Sequence, residues 1–435
     1  MTQTDTPSHP SSGTQPTLPP LRPLPRLGLG AVLIGKEEEA LALEVLRSRE
    51  LFRYHYSLPV EEQGKMAGTL EKEFCELIGT RHALAVTSGT AALEVALGAL
   101  GVGPGDEVIV PVWSWISCFT AIVRLGARPV LAEIDESLGL APGEVTRLAT
   151  PRTRAVMVIH YQGAAVDMDP ILEEAAALGI PVLEDCAEST GATYKGRRVG
   201  SLGAIGIFSF QYQKMITSGE GGMVVTSDPK LYERAVRFHD IGSVRPYHLQ
   251  WITPQEPNFC GSQFRMNELT AAVALAQFRK LEATRRHCQA LAGVIRREIE
   301  KLPGLQMRLL ADPEGDNGIE LYFFLETPEL AARFNEALSA RNIHIARMTG
   351  TYCHVAREYC RLGLAHAPGA SPFAGMEPWP APGYREGDFP RTDRVVERFI
   401  SLPLGVLFTQ EDACYIAETI KALHAEIVAP TLAGK

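Results

Sequence analysis

Lys214 lies in the segment Phe208-Ser209-Phe210-Gln211-Tyr212-Gln213-Lys214-Met215-Ile216-Thr217-Ser218-Gly219-Glu220-Gly221-Gly222. It follows an apolar run, Ile205 to Phe210, that reads as a buried strand, and it precedes a glycine cluster where the backbone must turn tightly. A lysine fixed at the end of a buried strand can attack an aldehyde and form a Schiff base. Most lysines so placed are structural, so the neighbours have to decide. Pro181-Val182-Leu183-Glu184-Asp185-Cys186-Ala187-Glu188 sets two acids at the C-terminal end of a strand, the edge where ligands of parallel sheets gather. Alternation along that strand sends Glu184 and Asp185 to opposite sides, so one of the pair faces a site. An anionic Asp185 there can pair with a ring nitrogen and keep it protonated; a solvated loop acid is the plainer alternative.

Two further segments complete the set. Thr87-Ser88-Gly89-Thr90-Ala91-Ala92 joins a strand to a helix, where free N–H groups, hydroxyls and the helix dipole suit a phosphate. The same residues are favoured as a helix cap, and the segment admits both readings. Trp115, in Pro111-Val112-Trp113-Ser114-Trp115, starts a helix after a strand and offers a flat face to an aromatic ligand, or simply a core side chain. Ser209 can donate to a phosphate. A phosphate cradle, a stacking face, a ring-nitrogen partner and an amine are together what pyridoxal phosphate needs from a protein.

These groups need elements to position them. Ala83–Val86, Glu107–Val110, Pro129–Leu131, Ala155–Ile159 and Val182–Leu183 read as short apolar strands. They alternate with helices at Thr90–Leu100, around Trp115–Leu125, and at Met168–Ala177. That alternation predicts an α/β fold with a mainly parallel sheet covered on both faces. Glu37–Arg49 and Lys65–Ile78 read as amphipathic helices ahead of it. Met266–Leu281 and Ala283–Lys301 read as long helices leading to a smaller C-terminal α/β unit with a strand at Ile319–Leu325 and helices at Glu329–Ala340 and Gln410–Glu426. The division expected is a tail over 1–26, a large domain over 27–280 and a small domain over 281–435. The tail is rich in Pro, Ser and Thr and offers almost no side chains for a core, so a disordered or extended segment is expected. Gly350–Arg391 is a long Pro/Gly-rich stretch of the kind that often carries function.

Composition sets outer limits. With 435 residues, 46% hydrophobic and 21% charged, the chain is ordinary for a globular protein of two or three domains. A formal charge of -9 argues against nucleic acid as the main partner. Eight cysteines without Cys-x-x-Cys spacing fit reduced thiols rather than a disulfide frame or a zinc site, and no metal is expected. No apolar run approaches the roughly 20 residues of a membrane span, and the N-terminus lacks a signal-peptide core. A cytoplasmic protein is expected.

The order and spacing of these motifs resemble the DegT/DnrJ/StrS family, fold-type-I aminotransferases acting on sugars and cyclitols. The resemblance rests on Ser88-Gly89-Thr90-Ala91-Ala92-Leu93, Gly103 through Pro111, Glu184-Asp185 with Gly191-Ala192, and Phe208-Ser209-Phe210 with Lys214. Gly219-Glu220-Gly221-Gly222, Gly261 through Met266, and Ser401-Leu402-Pro403-Leu404 extend it, so that it runs from about residue 35 to the C-terminus. It implies that Lys214 bonds to pyridoxal phosphate and then shuttles the proton, that Asp185 pairs with the ring nitrogen, and that Trp115 stacks on the ring. It further implies that Gly89, Thr90, Ala91 and Ser209 hold the phosphate. Glu188 takes a position beside the cofactor where many members have Gln or His and some have Glu. Gln263 stands where an Asn of the partner subunit commonly reaches the phosphate, so a homodimer with shared sites is implied.

Some members carry histidine in place of the lysine and act as dehydratases; Lys214 favours transamination. The resemblance implies an amino acid donor, Glu or Gln, and a ketone acceptor on a cyclic polyol, in amino-sugar, aminocyclitol or antibiotic biosynthesis. Gln211 resembles the keto-cyclitol branch, whereas Asp185-Cys186-Ala187-Glu188 also resembles enzymes acting on nucleotide-linked 3- or 4-keto-6-deoxysugars. Arg347 through Tyr352 departs from both, and His354, Tyr359, His366, Trp379, Tyr384 and Arg385 are candidates for the acceptor pocket. Two other readings stay open here: a lyase or decarboxylase using the same cofactor, and a non-catalytic, cofactor-binding regulator.

Overall fold

The computed structural model describes residues 17–55, 57–344, 365–367, 384–385 and 387–433. Two helices, α1 (Lys36–Ser48) and α2 (Lys65–Ile78), precede the sheet. Then come β1 (His82–Val86), α3 (Gly89–Ala99), β2 (Glu107–Pro111), α4 (Ile116–Arg124), β3 (Arg128–Ala132), α5 (Glu144–Leu148), β4 (Thr153–Ile159), α6 (Met168–Leu178) and β5 (Val182–Asp185). A two-stranded ribbon, β6 (Thr193–Tyr194) with β7 (Arg197–Arg198), leads to β8 (Ile205–Ser209), β9 (Gly222–Thr226) and α7 (Pro229–His239). The main sheet has seven strands in the order β1-β9-β8-β5-β4-β2-β3. β9 runs antiparallel to both of its neighbours, and the remaining pairs are parallel.

Side-chain alternation explains the layers. Along β1, Ala83 and Ala85 enter one core while Leu84 and Val86 enter another, and along β4 Val156 and Val158 separate in the same way from Ala155, Met157 and Ile159. The first core is filled by Met66, Leu70 and Phe74 of α2 and Ile171 of α6, the second by Leu93 of α3, Phe119 of α4 and Val236 of α7. Phe74 is fully buried, stacked on Phe278 and edge-on to Phe208, each at 4.9 Å between ring centroids. Burial of such a ring contributes about 3–5 kcal/mol by the usual cost of its removal, and it packs α2 against the strand that leads to Lys214.

Helices α8 (Glu268–Phe278) and α9 (Leu281–Ile299) follow. α9 starts in the first core through Leu281 and Cys288 and ends in another through Leu291, Ile295 and Ile299, so the two cores are joined along one helix. The second unit is an antiparallel sheet of β10 (Gln306–Met307), β11 (Glu320–Phe324) and β12 (Phe399–Pro403). It is completed by α10 (Pro328–Ser339), α11 (Pro390–Val396) and α12 (Gln410–Leu423). Trp113, Tyr161, Tyr322, Phe324 and Phe399 form a cluster between the two sheets.

The residues before α1 differ from the expectation of a tail without core contacts. Arg22 pairs with Asp412 at the start of α12 at 2.6 Å, and Leu24 and Leu27 pack on the second unit's core. Gly28 accepts a bond from the Val406 N–H at 3.1 Å, and the Gly30 N–H donates to the Lys214 carbonyl at 3.1 Å. A Cβ on Gly30 would lie 2.9 Å from the Met215 carbonyl, so this strap approaches the lysine loop as only glycine allows. An extended strap needs only a leucine or two and one arginine to be held, and residues 1–16 of the expected tail lie outside the described residues.

Candidate active site

Five chain segments leave the C-terminal edges of β1, β2, β4, β5 and β8 and enclose one cavity of about 390 Å³. Parallel strands bring their C-terminal ends to a common rim, so sequence-distant residues meet there. Ser88, Gly89 and Thr90 arrive from β1, Ser114, Trp115 and Cys118 from β2, Gln162 from β4, Asp185 and Glu188 from β5, and Ser209, Gln211 and Lys214 from β8.

At the first turn of α3, the Ser88 hydroxyl accepts from the Ala91 N–H at 3.0 Å. Ser88 is therefore the helix cap, and the Ala91 N–H is already engaged, which departs from the expected phosphate role for Ala91. The N–H groups of Gly89 and Thr90 lie within the first helical turn, ahead of any intrahelical acceptor, and the Thr90 hydroxyl donates to Ser117 Oγ at 2.9 Å. A Cβ added to Gly89 would sit 2.7 Å from the Ser209 Cβ, so the glycine lets β8 close over the helix end. Gly222 does the same on the far side, where a Cβ would meet the Ser88 carbonyl at 2.5 Å.

Lys214 lies in the loop that joins β8 to β9. Gly221 and Ser218 bond to the two sides of the Phe210 backbone, at 2.8 and 3.0 Å, and Thr217 Oγ1 adds a third bond to the Phe210 carbonyl at 2.9 Å. The Lys214 N–H donates to the Gln211 carbonyl at 2.9 Å. With its backbone held this way, the amine projects to within 3.5 Å of Glu188 Oε1. Glu188 Oε2 is buried without a hydrogen-bond partner, an acceptor left for a bound group.

Asp185 and Glu184 face opposite sides of β5. Glu184 accepts backbone N–H bonds from Gly200 at 2.7 Å, Leu202 at 2.7 Å and Gly203 at 2.6 Å. His160 Nδ1 accepts from the Val166 N–H, so its proton is on Nε2, which donates to Glu184 at 3.0 Å. Glu184 is thus saturated as a strut behind the site. Asp185, in the cavity, accepts the Ala187 N–H on Oδ1 at 2.9 Å and the Cys118 thiol on Oδ2 at 3.2 Å. Burial pushes the Asp185 carboxyl up, opposed by these two donors. Burial also pushes the Cys118 thiol well up, so it stays protonated and donates. Trp115 is 47% exposed at the N-cap of α4 with its ring on the cavity wall.

Not every candidate meets here. Gln263 is exposed and pairs by a backbone bridge with Asp240, away from the cavity lining of its own chain. The Tyr384 hydroxyl accepts from the Leu131 N–H at 2.9 Å and braces β3, and neither His366 nor Arg385 lines the cavity. Arg347 through Tyr352, His354, Tyr359 and Trp379 lie outside the described residues. Conversely, Leu29, Ser114, Cys118, Gln162, Thr190 and Ile319 line the cavity without having been singled out. Gln162 follows β4 at the same rim as Asp185 follows β5, and that strand-end position is the signal by which it was findable.

The residues fit pyridoxal phosphate: an amine, an acid facing it across the cavity, uncommitted N–H groups at a helix start, an exposed indole and one unsatisfied buried acceptor. Known proteins agree. A model of the DegT/DnrJ/EryC1/StrS aminotransferase family matches residues 49–367. Among solved structures, 3-amino-5-hydroxybenzoic acid synthase superposes with a TM-score of 0.74 at 28% identity, covering 95% of this chain and 100% of that one. DesV of S. venezuelae gives 0.73 at 29% identity, covering 90% and 95%. DesI gives 0.72 at 25% identity, covering 95% and 96%. No helix among the described residues is long and apolar enough to cross a membrane. With the lysine, the acid and the helix start gathered on one rim of a fold-type-I sheet, the chain belongs to the DegT/DnrJ/EryC1/StrS family and is a pyridoxal-phosphate-dependent aminotransferase.

Proposed function

We propose that this enzyme aminates a ketone on a cyclic polyol, a keto-cyclitol or keto-sugar, with an amino acid such as Glu or Gln as donor, in amino-sugar or aminocyclitol biosynthesis. The observation that carries the reading is the convergence of Lys214, Asp185 and the Ser88–Thr90 turn around one cavity. Bound there, pyridoxal phosphate supplies the electron sink and carries the amino group between the donor and acceptor half-reactions. The protein's part is positioning and proton transfer. Lys214 Nζ takes the proton from the donor's α-carbon and delivers one to the acceptor carbon that receives nitrogen. Glu188, with Oε1 3.5 Å from the amine, keeps Lys214 pointed into the cavity. With the cofactor bound, Asp185 would hold the ring nitrogen, Trp115 would cover a ring face, and the Gly89 and Thr90 N–H groups with the Ser209 hydroxyl would hold the phosphate. Gln263 serves the site of a partner subunit, which makes the working unit a homodimer.

Gln211 on the cavity wall supports the cyclitol branch, as does the likeness to a synthase named for an amino-hydroxybenzoic acid. The second reading, a nucleotide-linked keto-deoxysugar, is supported by the likeness to DesI, whose structure was solved with its TDP-sugar product. The deciding experiment loads the enzyme with amino groups from the donor and offers a panel of keto-cyclitols, free keto-sugars and nucleotide-linked keto-deoxysugars. Turnover of cyclic ketones lacking a nucleotide is expected. Turnover confined to the nucleotide-linked members transfers the assignment to the second reading.

A further inference from the structure

Resting on the assignment of Asp185 to the ring nitrogen, the geometry points to Cys118 as the residue that positions that acid for its cofactor. Asp185 has two oxygens with different tasks. Oδ1 is tied to the backbone by the Ala187 N–H, whereas Oδ2 meets a side-chain donor, the Cys118 thiol, at 3.2 Å. Cys118 lies three residues beyond Trp115, so one turn of α4 carries the stacking indole and the thiol to the same wall of the cavity. Its own sulfur is held by Ser114, four residues earlier, with Oγ 3.3 Å from Sγ. Since the thiol proton is directed at Asp185, the Ser114 hydroxyl donates to the sulfur, and the order runs Ser114 to Cys118 to Asp185.

Cys118 is 1% exposed and Asp185 5% exposed, so the donor works where water does not compete. A single S–H bond is weak enough to leave Oδ2 a good acceptor for a ring N–H, yet directional enough to hold the carboxylate in one rotamer. An aliphatic residue here would leave Oδ2 buried and unpaired in the cofactor-free chain, at the cost of a lone buried acceptor. Cys118 never touches the reacting atoms in this scheme; it acts through Asp185.

The test compares Cys118→Val, of similar volume without a donor, with Cys118→Ser, which keeps one, in the full chain freed of cofactor. Each is titrated with pyridoxal phosphate and with its 1-deaza analogue, which carries carbon in place of the ring nitrogen. Cys118→Val is expected to bind pyridoxal phosphate about tenfold more weakly, with Cys118→Ser close to wild type. Neither substitution is expected to change affinity for the 1-deaza analogue, and Cys118→Val is expected to add nothing to Asp185→Asn. Equal loss for both ligands, or additive effects of the two substitutions, reduces Cys118 to packing and overturns the inference. If wild type itself fails to distinguish the two ligands, the Asp185 assignment falls first, and the inference falls with it.

Discussion

At the scale of single residues, the proposal stands on Lys214, whose amine lies 3.5 Å from Glu188 Oε1. Lys214→Ala should lower amination by about 10²- to 10⁴-fold, the range of a lost general acid–base, and should remove the absorbance band of the covalently held cofactor. Normal amination by that variant would falsify the proton-transfer role. Asp185→Asn should slow proton removal from the donor by a comparable factor in single-turnover experiments, and an unchanged rate removes its assignment. Lys214, Asp185 and the Ser88–Thr90 turn were legible in the sequence because each sits at a strand end. Cys118 was not: eight scattered cysteines carry no spacing signal, and only the fold brings the start of α4 to the acid at the end of β5.

At the scale of elements, β11 carries a buried acid whose ionisation is coupled to stability. Glu320 accepts from the Ser401 hydroxyl on β12, and burial pushes its carboxyl up to about 7, with Glu188 adding repulsion and Arg308 opposing. An acid with a raised folded-state pKa contributes most to folding when protonated. Its contribution is therefore full below about pH 4.5 and is lost as pH rises through about 7. Denaturant unfolding should show wild type losing stability across that window, and Glu320→Gln should flatten the loss; parallel curves for the two proteins would show that Glu320 does not titrate there. The parallel strands and helices α3, α4 and α6 were legible from apolar runs and helical periodicity, whereas the five-residue α5 was too short to show a period. β9 was not, because its leading glycine closes the cluster Gly219-Glu220-Gly221-Gly222 and reads as a turn. The structure uses Gly222 as the first residue of a fully buried strand, where its missing side chain admits the Ser88 carbonyl.

At the scale of the whole molecule, the exposed Gln263 gives a test of the proposed dimer. Sedimentation should find about twice the 47.4 kDa chain mass. Mixed chains carrying Lys214→Ala and Gln263→Ala should recover activity above either variant alone, because one of the two hybrid sites then holds both native residues. Failure to recover, with mixed dimers demonstrated, assigns Gln263 to its own chain or to no site. The strap before α1 bears on motion. Arg22 is fixed to α12 while Leu29 lines the cavity, and seven residues of extended chain reach at most about 25 Å. The strap is therefore a leash: it caps how far the second unit can swing from the reactive lysine. Leu24, Leu27 and the Gly28–Val406 bond hold it to the second unit as well, so loss of the Arg22–Asp412 pair alone does not lengthen it.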